Sequence, residues 1–253
     1  MDTIATRKNA LYLLALLAAL LAISGCSQNK NWIKVNHPGD YELIEMGHQQ
    51  EGPIVFRLTR AHDRVFYSHP TVLGPTSFSV YLLQHTEIHE GESVLDMGTG
   101  SGIQAIYAAE KASHVLAMDI NEIALDNTLK NARKHGVADK ISVRGSNLFD
   151  ALRAAEKFDV IISSIPYAWN EQTQGNWKLQ ERFFQAAGKH LNPTGRIYFL
   201  TGSLDNLSRT KQLIEENGLK IMRMDMAYAP VQELEPIVYV LQHAPAAPDQ
   251  GAE

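Results

Sequence analysis

The chain has 253 residues, 45% of them apolar and 20% charged, with a formal net charge of −5. That balance excludes a disordered, collagen-like or polytopic membrane protein, and its acidic sign argues against nucleic acid backbone as a natural partner. One cysteine, Cys26, excludes an intrachain disulfide and any CxxC metal site.

The first predicted element is a targeting segment. Arg7 and Lys8 precede an apolar run from Ala10 to Ile23, about 14 residues and shorter than the roughly 20 a spanning helix needs. A basic start, a short apolar stretch and small residues before a cleavage point make a secretory signal. Ile23-Ser24-Gly25-Cys26 resembles the lipobox of bacterial lipoproteins. The resemblance implies that residues 1–25 are a removed signal peptide and that Cys26 is acylated, which anchors the protein to a membrane by lipid (palmitate or a similar chain). Ser27 rather than Asp follows the cysteine. This favours a place in the bacterial cell envelope, at the outer membrane or the periplasmic face.

Residues 26–52 read as a polar tether, residues 53–243 as one domain, and residues 244–253 as a disordered tail. The β-rich runs Ile54–Leu58 and Arg64–Tyr67 flank a turn and predict a small N-terminal β-hairpin. Pro70, Gly74 and Pro75 break the chain, and Thr76 or Ser77 caps a helix to Gln84. Strands then alternate with helices. Strands are expected at Ser93–Met97, His114–Asp119, Ile141–Arg144, Asp159–Ser163, Arg196–Thr201, Lys220–Ala227 and Ile237–Gln242. Helices are expected at Ile103–Lys111, Glu122–His135, Leu179–His190 and Leu204–Glu216. This alternation predicts an α/β fold: a doubly wound, mostly parallel, seven-stranded sheet with helices on both faces. Ligands of such sheets bind beyond the C-terminal strand ends.

The residues after the first of these strands, Asp96-Met97-Gly98-Thr99-Gly100-Ser101-Gly102, open a helix. Their glycines are spaced G-x-G-x-G, not the G-x-G-x-x-G of dinucleotide folds, and Asp96 would repel a pyrophosphate but suits a cationic ligand. This loop resembles that of the Rossmann-like (class I) S-adenosylmethionine-dependent methyltransferases. The resemblance implies cofactor contacts from Asp96, Gly98, Thr99, Gly100 and Gly102. It also implies a ribose-binding acid at Asp119 with Ile120 beside it, and an adenine-binding position at Asn147, where the family often carries an acid. Leu148 and Phe149 either pack on the adenine or belong to the core.

Ser164-Ile165-Pro166-Tyr167 at the end of the fourth strand resembles a second signature of the family, found in its nitrogen-methylating members, whose first residue is commonly Asn. The resemblance makes Ser164, Pro166 and Tyr167 catalytic. A polar side chain and a backbone carbonyl orient the target nitrogen, and an aromatic face stacks on it. The segment from Arg64 to Pro70 resembles the entry of the "small" methyltransferase domain. The expected activity is methyl transfer to a nitrogen of an unknown acceptor by a membrane-tethered enzyme. The alternative is a non-catalytic envelope lipoprotein that keeps the fold as a binding module. Trp169, Trp177 and Tyr167 either wall the substrate or pack. Arg57, Arg60 and Arg64 read as a solvated strand face. His85 and His89 share helical spacing but have no third ligand, so no metal is expected.

Overall fold

The computed structural model describes residues 33–36, 43–167, 175–202, 206–227 and 236–245. The signal segment, Cys26, Trp169 and the last eight residues lie outside the described residues.

The main sheet is the doubly wound, mostly parallel one expected. Its strands are β5 (Ser93–Met97), β6 (His114–Asp119), β7 (Ile141–Gly145), β8 (Phe158–Ser163), β9 (Leu191–Thr201), β10 (Leu219–Ala227) and β11 (Ile237–His243). An eighth, β1 (Ile33–Asn36), was expected to be tether; it instead pairs in parallel with β10, Ile33 opposite Met224. The order is β1-β10-β11-β9-β8-β5-β6-β7, and only β11 runs antiparallel to its neighbours. From β5 the chain winds outward through β6 and β7, then returns to β8 on the other side of β5. That reversal is the switch point where such sheets open a crevice.

The central strands bury both faces. Val94, Leu95, Val115, Ala117, Val160 and Ile161 are fully buried, which explains why they read as unbroken apolar runs. One face packs against α1 (Ser77–His85), α2 (Ile103–Ala108) and α3 (Glu122–Lys134) through Val80, Leu82, Ile106 and Ala132. The other packs against α4 (Asn176–Ala187) and α5 (Leu207–Glu216) through Phe183, Phe184, Leu207 and Ile214. Helix starts follow their caps. Thr76 Oγ1 accepts from the Ser79 amide in a capping box, and Asn121 Oδ1 accepts from Ile123 N at 3.1 Å.

The expected N-terminal hairpin is real but incomplete. β3 (Ile54–Ala61) and β4 (Arg64–Ser68) are joined through His62 and Asp63, and β2 (Leu43–Glu51), which falls in the predicted tether, adds a third antiparallel strand. All of β2 is partly or fully exposed, so no alternating buried pattern marks it. Two asparagines of α3 clamp the end of β4. Asn131 Oδ1 accepts from Tyr67 N at 2.9 Å, while its Nδ2 donates to Tyr67 O and Ser101 O, both at 2.8 Å. Asn127 Oδ1 accepts from His69 N at 2.8 Å, and its Nδ2 donates to Tyr67 O at the same distance.

Candidate active site

The glycine loop is fixed from three sides. Gly98 N and Thr99 N donate to Met118 O at 2.8 and 3.1 Å, tying the loop to β6. Gly100 N donates to Asp119 Oδ2 at 3.0 Å, and Thr128 Oγ1 of α3 donates to Gly100 O at 3.2 Å. Gly98 and Gly102 have φ of +80° and +84°. A Cβ on Gly98 would sit 3.1 Å from Ser164 O, and one on Gly102 2.9 Å from Thr128 Cγ2. Both positions therefore require glycine for conformation and for space.

Beyond this loop lies a cavity of about 350 Å³ at the β5–β8 switch point. Four segments that follow strands meet there: Gly98, Thr99 and Gly100 after β5, Asp119 and Ile120 at the end of β6, Asn147 and Leu148 after β7, and Ser164 and Pro166 after β8. Asp119 is held by the amides of Gly100 and Asn121, one on each oxygen (3.0 and 2.9 Å). Each carboxylate oxygen keeps a lone pair for a ligand donor. Leu148 takes φ +55°, an uncommon conformation for a branched residue, and so reaches the cavity while Phe149 stacks on His190 in the core. Asn147 Oδ1 accepts from Arg182 Nη1 at 3.3 Å, so one of its two lone pairs is in use.

Three predicted site residues do not line the cavity. Gly102 serves as the N-cap of α2 against Thr128. Tyr167 turns away: its ring stacks on Phe78 (centroids 6.0 Å apart, 17° between planes), and its hydroxyl lies against Gly202. Burial pushes that phenol up to about 12. Asp96 is fully buried in β5 beneath the loop. Its Oδ2 accepts from Ala105 N at 3.2 Å, while its Oδ1 is buried with no hydrogen-bond partner. A buried carboxyl oxygen without a partner under a ligand loop fits a cationic ligand group, whose charge would favour the ionised form. Trp177 is no substrate wall either. It is 5% exposed and lies under the Arg209 guanidinium at 4.3 Å.

Desolvation, with the like charge of Asp119 adding to it, raises Asp96 from 3.8 to about 7. A raised carboxyl binds its proton in the folded state over a window where the unfolded chain has lost it, so stability falls as pH rises from about 4 to about 7. Asp96→Asn removes this penalty, roughly 4 kcal/mol at full ionisation, and brings two buried amide donors; the Thr99 hydroxyl beside it takes one, and the other, unpaired, costs about 1–3 kcal/mol. The ligand-free variant is expected to be about 2 kcal/mol more stable than wild type at pH 8 in urea denaturation, with the gain shrinking towards pH 5.

Sequence reasoning missed one wall of the cavity. Thr71, Val72, Leu73 and Gly74 line it, as do Asn121 and Leu179. Asn121 Nδ2 donates to Thr71 O at 3.2 Å and fastens this segment to the start of α3. Leu73 and Ile120 are 74% and 72% exposed at the mouth.

The comparisons agree with this geometry. A family model described as methyltransferase small domain matches residues 64–218. A ribosomal protein L11 methyltransferase of Desulforamulus reducens is 43% identical over 79 residues, 31% of this chain and 25% of that one. A ribosomal protein uL3 glutamine methyltransferase of Bordetella pertussis is 41% identical over 86 residues, 33% of this chain and 28% of that one. The matches thus span about a quarter of the length of these two relatives. The crystal structure of a ribosomal protein L11 methylase from Lactobacillus delbrueckii subsp. bulgaricus shares the fold, with TM-score 0.55 and 23% identity over 68% of this chain and 81% of that one. The matched span runs from β4 to the end of α5 and contains every strand that builds the cavity, and this chain belongs to the methyltransferase small domain family.

Proposed function

We propose that the chain is an S-adenosylmethionine-dependent methyltransferase that acts on a nitrogen of a protein or nucleic acid acceptor. One observation carries the reading: the segments after β5, β6, β7 and β8 converge on a single cavity. When bound, S-adenosylmethionine supplies a methyl group on a sulfonium sulfur. Asp119 would hold its ribose hydroxyls, and Asn147 and Leu148 its adenine. The side-chain-free backbone of the loop, its Gly98, Thr99 and Gly100 amides already tied to β6, would let the amino-acid end approach closely, with the buried Asp96 carboxyl favouring the cationic part. Ser164 would accept a hydrogen bond from the target N–H and orient the nitrogen lone pair, so the chain contributes mainly by positioning. Tyr167, turned onto Phe78 and away from the cavity, would not stack on the acceptor.

The further part of the proposal is location. Acylated Cys26 would tether the domain to a membrane of the cell envelope. Among the described residues no helix is long and apolar enough to cross one. Radiolabelled palmitate is expected to enter the full chain and to be lost in Cys26→Ala.

Calorimetry on the full chain tests the cofactor, and tritiated methyl transfer into the protein and RNA fractions of a cell extract tests the activity. Binding with label in one fraction supports the proposal. Absence of binding overturns it, and binding without transfer in any fraction makes the chain a non-catalytic module.

A further inference from the structure

The Thr71–Leu73 wall has a second side. Behind it lies an open groove of about 540 Å³ between this segment and the small sheet. The strand register sets its chemistry. His48 of β2 lies opposite Arg57 of β3, which lies opposite Ser68 of β4, so the three residues form one cross-strand row on one face. All three line the groove, together with His69.

These groups are donors without acceptors. Arg57 Nε is buried and unpartnered, and among the described residues the guanidinium forms no ion pair. Ser68 is 1% exposed and its Oγ has no partner. The two side chains meet at the same wall: both pack against Gly74, where an added Cβ would lie 2.5 Å from Ser68 Oγ and 2.7 Å from Arg57 Nη2. His69 Nδ1 accepts from Thr71 N at 3.2 Å, which in the neutral ring leaves the proton on Nε2. Among the described residues no Asp or Glu lines the groove. By contrast, Arg64 on the next strand is paired with Glu110.

We propose that this groove binds a carboxylate carried by the methyl acceptor, a reading that rests on the methyltransferase function. A planar guanidinium flanked by a hydroxyl matches a carboxylate fork. One guanidinium on a chain of net charge −5 does not match a nucleic acid backbone, whose phosphates demand several spaced cations. The groove shares Thr71, Val72 and Leu73 with the cofactor cavity, so an acceptor anchored here reaches the cavity across a single wall.

Arginine modification by phenylglyoxal, mapped by mass spectrometry on the full chain, tests the site. N-acetylglycine is expected to slow labelling of Arg57 by about fivefold or more, while its amide, N-acetylglycinamide, leaves the rate unchanged. The protection is expected to fall in Ser68→Ala. Equal effects of acid and amide, or protection by inorganic phosphate and not by N-acetylglycine, overturn the carboxylate site. Cofactor binding measured on the same sample separates the two readings: binding without protection overturns only the groove, and protection without binding overturns only the methyltransferase. Arg57→Gln is expected to keep the cofactor affinity and lower methyl incorporation into the protein fraction. Unchanged incorporation overturns the link to the acceptor.

Discussion

Asp119→Ala is expected to weaken S-adenosylmethionine binding by about 100-fold, because hydrogen bonds to a charged acceptor contribute about 1.5–3 kcal/mol each. Two effects combine. The carboxylate offers lone pairs to a ribose diol at the cavity wall, and it also holds Gly100 N at 3.0 Å and Asn121 N at 2.9 Å. Without it, the loop loses its tie to β6 at Gly100, and Asn121 loses support where it fastens Thr71. Asp119→Asn keeps acceptor oxygen but not charge and is expected to fall between. Because Asp119 is only half-buried, the fold is expected to survive both changes. Calorimetric affinity of Asp119→Ala close to wild type would sink the cofactor assignment.

Asn131→Ala is expected to cost about 4 kcal/mol in urea denaturation, since it strands buried backbone groups and leaves a void. Asn131 is fully buried and makes three hydrogen bonds, to Tyr67 N, Tyr67 O and Ser101 O. Asn131→Asp is expected to be worse, because it sets an anion against two carbonyl oxygens. The loss also reaches function. The asparagine joins the glycine loop, through Ser101, to the end of β4, from which the Thr71–Leu73 wall departs. Cofactor affinity is therefore expected to fall with stability. Asn127→Ala shares the Tyr67 carbonyl, so the two losses will not add. A variant as stable as wild type would show that the small sheet is held by other contacts.

The parts of this architecture that were legible in the sequence are those dictated locally. Parallel strands buried on both faces leave unbroken apolar runs. Positions with positive φ leave glycines, and helix starts leave Thr76 and Asn121. The parts that stayed hidden depend on distant partners. Ile33–Asn36 is a strand only because β10 presents a free edge, and Leu43–Glu51 pairs with β3 although none of it is fully buried. The wall at Thr71–Gly74 belongs to no regular element, so neither periodicity nor capping could announce it. Tyr167 followed its motif in sequence, but its direction was set by Phe78 and by the lack of a side chain at Gly202. Asp96 was expected among the loop residues after an apolar strand; it lies within β5, and nothing local showed that it would sit beneath the loop rather than at its surface.

The capture of Ile33–Asn36 by the sheet also sets a leash length. A tether running to residue 52 would let the domain roam far from an anchor. With β1 beginning at Ile33, only seven peptide steps separate it from Cys26, and a fully extended chain of that length reaches at most about 25 Å. An acylated Cys26 would therefore hold the sheet edge close to the bilayer. Such a short radius favours acceptors that are small or themselves borne on the membrane, and disfavours particles the size of a ribosome.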